Sequence, residues 1–153
     1  MCKEYKRIKK HLSLYKQYQA RIKVLSMKLK QHNYHVDCEG ALKATDYSKE
    51  NFGGSGVSDS TYQQIDKAVR GYVEEYEELK RICDLLAIPL GYDDNDCLLD
   101  EEEMEVIDEK YIENQGKKND KFIIDTLNLS KATFYRLQKS ALEKIHQTID
   151  LSL

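Results

Sequence analysis

The chain has 153 residues, 33% charged and 41% hydrophobic, with one Pro, seven Gly and a formal net charge of -3. That composition excludes collagen-like, mucin-like and low-complexity classes, and it leaves room for one domain or for one small domain with a helical extension. The small net charge hides three blocks: residues 1–35 carry ten basic residues against one acid, residues 36–116 carry 7 against 22, and residues 117–144 carry 7 against 3. Two basic ends around an acidic middle permit binding to a polyanion, because the field that matters is local.

No stretch approaches the roughly 18 consecutive apolar residues of a membrane span. The basic start, Met1 to Lys10, lacks the apolar run of a secretory signal, so a soluble, cytoplasmic protein is expected. Cys2, Cys38, Cys83 and Cys97 are far apart with no Cys-x-x-Cys pair, which fits reduced thiols better than a disulfide framework.

From Glu4 to about Asn33 the residues Tyr5, Ile8, Leu12, Tyr15, Gln19, Ile22, Ser26 and Leu29 step alternately by three and four, which predicts one long helix with a seam. Periodicity then disappears, and the run Phe52-Gly-Gly-Ser-Gly56 marks a flexible linker over about 36–59. A second helix is predicted from about Ser60 to Leu86, seamed by Tyr62, Ile65, Val69, Tyr72, Tyr76, Leu79, Cys83 and Leu86 and stopped by Pro89 and Gly91. The two stripes can cover each other as an antiparallel hairpin or pair between chains as a coiled coil, and a homo-oligomer, with a dimer favoured, is expected. The cations of the first helix are expected to face the acids Glu74, Glu75, Glu77 and Glu78 rather than DNA.

A dense start signal follows. Asp100 with Glu103 reads as a capping box, and Leu99 with Met104 as a hydrophobic staple. The helix it opens is expected to reach about Ile112 with Met104, Ile107 and Tyr111 inward. Then come a short helix around Phe122, Ile123 and Ile124 ending near Thr126, a turn at Leu127-Asn128-Leu129, and a final helix capped by Ser130 with Phe134, Leu137, Ala141 and Ile145 on one face. Asn128 occupies the turn position where the backbone commonly goes left-handed. Together these spell helix-turn-helix.

The opposite face of the last helix shows Lys131, Thr133, Tyr135, Arg136 and Lys139. Arg holds guanine bidentately, Thr meets a thymine methyl or a phosphate, and the helix N-terminus at Ser130 attracts a phosphate. Lys117, Lys118 and Lys121 before the turn, and Lys144 after it, add phosphate contacts.

The run from Leu99 through Glu102, Val106 and Tyr111 to Ile112, followed by Leu127-Asn-Leu-Ser-Lys-Ala-Thr-Phe-Tyr-Arg-Leu137, resembles region 4 of sigma factors over about a third of the chain. Asn128 stands where that pattern has Gly, Phe134 where it has Val, and Phe122 where it has a polar residue. With two long helices in front, the whole resembles small phage transcriptional regulators of the RinA and ArpU type. That resemblance implies an all-α fold in two parts, a long-helix oligomerisation region over 1–90 and a sigma-region-4-like helix-turn-helix domain over 98–153. It also implies a promoter-binding regulator that activates late genes of phages or prophages on double-stranded DNA, with RNA polymerase as a further partner. Two alternatives remain open: a phage small terminase subunit binding packaging-site DNA, and a coiled-coil adaptor that binds protein and no DNA.

His32, His35 and Cys38 lack the spacing and fourth ligand of a zinc finger, and the acidic run Asp93-Asp-Asn-Asp96 lacks the glycine and terminal glutamate of a calcium loop, so no metal or cofactor is expected. No nucleophile elbow, P-loop, zincin or dinucleotide fingerprint occurs, so no enzyme is expected.

Overall fold

In the computed structural model the described residues are 3–32, 34–36, 42–44, 59–92 and 96–149. Among these residues the fold is all-α apart from one small hairpin. Helix α1 spans Lys3–Gln31 and α2 spans Asp59–Leu90. After α1 the strands β1, Tyr34–Val36, and β2, Leu42–Ala44, pair antiparallel with His35 opposite Lys43. The segment read as a linker therefore opens with regular structure, while residues 45–58, Cys38 and Asp93–Asn95 lie outside the described residues.

The chain divides into two compact units, Gln19–Lys80 and Met1–Tyr18 with Arg81–Leu153. This differs from the expected division at about residue 90, because both long helices are shared. In the first unit, Leu25, Leu29, Val69 and Tyr76 are buried together, with Ile22, Tyr72, Val73 and Leu79 packed on them. The Arg21 guanidinium donates to both carboxylate oxygens of Glu75 at 2.6 and 2.9 Å, and Lys28 Nζ lies 4.9 Å from the centre of the Tyr72 ring. Partner numbers fall along α2 as they rise along α1, so the two segments run antiparallel and their stripes cover each other within one chain. Arg21 does meet the acidic block, as expected, but an exposed pair of this kind orients more than it stabilises.

The α1 stripe departs from the predicted seam. Gln19 is exposed, and Leu25 rather than Ser26 is fully buried. A straight helix turns every 3.6 residues, so a strict 3.5-residue seam drifts around it. The change of phase falls where the chain passes from one unit to the other.

In the second unit α2 runs through Pro89, which the sequence reading had as a stop. Proline there gives up one helical hydrogen bond, and the true end is Gly91. Gly91 sits at φ +69°, its N–H donates to the Ile88 carbonyl at 3.3 Å, and Tyr92 N–H donates to the Ala87 carbonyl at 3.0 Å. That pair of bonds is a Schellman cap. A Cβ at position 91 would also lie 2.6 Å from Cys97 Cβ, so glycine is required twice over.

Helix α3, Glu101–Ile107, continues as one π-helical stretch, Asp108–Glu113. The extra residue per turn lets Val106 and Ile107 face inward together with Tyr111 and Ile112. Met104, expected inside, is only half-buried and lines a surface cavity with Leu99 and Tyr92. Helix α4, Asp120–Thr126, is capped by Asn119, whose side chain accepts from Phe122 N–H at 2.8 Å. Helix α5, Lys131–Thr148, is capped by Ser130, whose hydroxyl accepts from Thr133 N–H at 3.1 Å.

The α4–α5 turn follows the sequence reading. Asn128 has φ 51°, Asn128 N–H donates to the Asp125 carbonyl at 3.3 Å, and Leu129 N–H donates to the Ile124 carbonyl at 3.0 Å. Val106, Ile123, Phe134 and Leu137 form the buried cluster beneath it, with Ile124, Leu127 and Leu129 around the rim. Helices of seven residues such as α3 and α4 cannot persist alone, so this packing is what holds them.

Candidate nucleic-acid interface

Phe134, Leu137, Ala141 and Ile145 are buried on α5, as their spacing predicts, and Gln138 and Leu142 join them. The remaining positions then divide into an α3-facing side and an outward side. On the packed side Gln138, Ser140 and Lys144 each end on a partner. Gln138 Nε2 donates to the Tyr111 hydroxyl at 2.9 Å, and the Ser140 hydroxyl donates to Glu103 at 2.6 Å. Lys144 Nζ donates to Glu103 at 2.7 Å and to Asp100 at 2.9 Å.

Glu103 is 2% exposed and also accepts from the Asp100 N–H at 3.0 Å, so it closes the helix start and anchors α5 at once. Burial works against its charge, but the bonds from Lys144, Ser140 and Asp100 outweigh that and hold the carboxyl below the usual glutamate range. Lys144, expected to contact phosphate, is instead committed to these two carboxylates.

A second strut joins three elements below the turn. Lys110 of the π-helical stretch pairs with Asp120 at the start of α4, and the Tyr135 hydroxyl of α5 donates to the other Asp120 oxygen at 2.8 Å. Burial opposes the Asp120 charge, yet the hydrogen bonds from Lys110 and Tyr135 prevail and keep its carboxyl below the usual aspartate range. Tyr135 was expected as a reading residue. The residue is exposed but its hydroxyl is engaged, so it positions α5 against α4.

The outward side of α5 is bare. Ala132, Arg136 and Lys139 are exposed, and Thr133 is half-buried with its hydroxyl 2.8 Å from that of Ser130. Among the described residues, Arg136 and Lys131 have no hydrogen bond or ion pair, and Lys139 has only Glu143 at 3.7 Å, one helical turn on. Lys117, Lys118 and Lys121 are exposed ahead of and within α4, and among the described residues only Lys118 has an interaction, with the Phe122 ring at 4.9 Å. Phe122, 44% exposed, stands where the sigma pattern has a polar residue and is solvent-facing as a polar residue would be.

Of the residues read from sequence, Arg136, Lys131, Lys139, Lys117 and Lys118 are exposed to solvent, with Ser130 exposed and Thr133 half-buried at the helix N-terminus. The sequence reading missed Ala132, whose exposed methyl lies one turn before Arg136, and it missed Asp120 and Glu103 as the groups that fix the helix. The spacing Glu103–Lys144 carries no local signal, because it is made only by the packing of α3 on α5.

Among the described residues no group of three or more His, Cys, Asp or Glu could hold a metal ion, and no helix is long and apolar enough to cross a membrane. Comparisons with protein-family models, curated proteins and solved structures find no match for the chain.

Proposed function

We propose that the chain is a sequence-specific DNA-binding regulator of transcription that lays the N-terminal turns of α5 in the major groove. The observation that carries this reading is the sorting of cations around the helix-turn-helix. Lys110 and Lys144, on the packed side, are neutralised by Asp120, Asp100 and Glu103, whereas Arg136 and Lys131 on the outward side have no carboxylate within reach among the described residues. A capped helix with an uncompensated guanidinium on its exposed face suits a base edge, and the lysines around it suit phosphates.

In this reading Arg136 is the principal base contact. Ala132 and Thr133 border a thymine methyl or phosphate, Ser130 presents the helix N-terminus, and Lys131, Lys139, Lys117 and Lys118 set the register on the backbone. The resemblance to phage late-gene activators suggests the biological setting and RNA polymerase as a protein partner. The deciding experiment is equilibrium binding to duplexes taken upstream of neighbouring genes, beside random duplexes of equal length, across a salt series. The expected result is affinity that falls linearly on logarithmic axes with salt and prefers one upstream sequence. Absence of any salt-sensitive affinity would remove the proposal in favour of a protein-binding adaptor.

A further inference from the structure

We infer that the first turns of α1 belong to the same surface, with Lys6 and Lys10 taking backbone phosphates of the duplex along the Lys139 edge of α5. This rests on the DNA-binding reading above and widens its footprint to the other end of the chain.

Tyr5 and Lys9 of α1 line a cavity of about 280 Å3 together with Tyr135, Gln138, Lys139 and Leu142 of α5. The Tyr5 ring also stands edge-on to His146, with centroids 5.6 Å apart. These contacts set the start of α1 beside the reading helix. Lys6 and Lys10 follow on the solvent side of Lys9, one turn apart and about 6 Å along the axis. Both are exposed, and among the described residues neither has a hydrogen bond or ion pair.

The carboxylates that border this edge are already used. Asp120 is held by Lys110 and Tyr135, and Glu143 lies 3.7 Å from Lys139. Lys9 is half-buried, and burial, with Lys110 acting in the same direction and Asp120 against it, holds its ammonium below the ordinary lysine value. Exposed like charges such as Lys6 and Lys10, with no ion pair among the described residues, are unfavourable on their own and favourable against a polyanion. The duplex is the polyanion chosen here because the edge is continuous with Lys139 on the proposed interface.

The test is a salt series on the full chain with a duplex of random sequence, comparing the unaltered protein with Lys6→Gln/Lys10→Gln and with Lys23→Gln/Lys30→Gln. The last pair removes the same charge from exposed positions of the other unit. Loss of two phosphate contacts lowers the logarithmic slope by about 1.8, so a fourfold rise in salt weakens the Lys6/Lys10 variant about tenfold less than the unaltered chain. The control pair keeps the original slope. An unchanged slope for Lys6→Gln/Lys10→Gln in a chain that still binds overturns this inference alone, as does an equal change in the control. A chain that binds no duplex at any salt overturns the DNA reading itself.

Discussion

On the side of α5 that packs against α3, Gln138, Ser140 and Lys144 each end on a named partner, while on the opposite side Ala132 and Arg136 end in solvent. Both sides belong to one amphipathic helix, and polarity alone does not tell them apart. The difference is whether the polar groups have been used to hold the helix in place. The inner side turns charge into position, and the outer side leaves its charge in solvent, where the proposed function would use it. Substitutions on the inner side should therefore cost stability, and substitutions on the outer side should cost binding only.

The largest effect expected is on the inner side. Phe134→Ala empties the centre of the Val106–Ile123–Phe134–Leu137 cluster and should destabilise the fold by about 4 kcal/mol, read from denaturant unfolding. Glu103→Ala leaves the Ser140 hydroxyl and Asp100 N–H without their acceptor and should cost roughly 2 kcal/mol.

The same residue gives a pH test. The folded Glu103 carboxyl lies below its unfolded value, so its contribution is present above about pH 4.3 and lost as pH falls through the folded value. Glu103→Gln should accordingly flatten the acid limb of a stability–pH curve, and an unaltered limb would show that the inner network does not depend on this charge.

Arg136→Ala should leave the melting temperature within error of the unaltered chain. It should remove about 2 kcal/mol of preference at one base position, measured by competition between single-base variants of the preferred duplex. Equal loss on every sequence would make Arg136 a phosphate contact. Smaller still, Ser130→Ala should cost about 1 kcal/mol of stability through the lost cap, and Asn128→Gly should change stability little, because both residues accept the left-handed backbone.

Much of this arrangement was legible in local sequence. Caps and turns are short-range devices, so Ser130 and Asn128 could be read from residue type and spacing within a few positions, while the Asn119 cap, of the same kind, was not. The apolar face of α5 followed from helical period. What else escaped was set by distant packing. Proline at 89 normally ends a helix, but one lost hydrogen bond is tolerable in a last turn that buries Leu86 and Leu90 and finds its stop at Gly91. The π-helical stretch replaced a regular turn because Tyr111 and Ile112 both reach the core, which a 3.6-residue period does not allow in the predicted register. The Glu103–Lys144 and Asp120–Tyr135 bonds join residues whose proximity exists only once α3, α4 and α5 have assembled.

The unit that bears α5 is sewn from both ends of the chain, since Ile8, Leu12 and Tyr15 of α1 are buried in it and Tyr15 stacks on Tyr92 at 5.8 Å. An excised C-terminal fragment that begins near residue 98 would retain every proposed base contact and yet leave behind those three plugs. During synthesis α1 leaves the ribosome well before α5, so the unit that they share can close only once α5 has followed. A chain cut short before α5 would thus expose Ile8, Leu12 and Tyr15 with nothing to cover them from that helix.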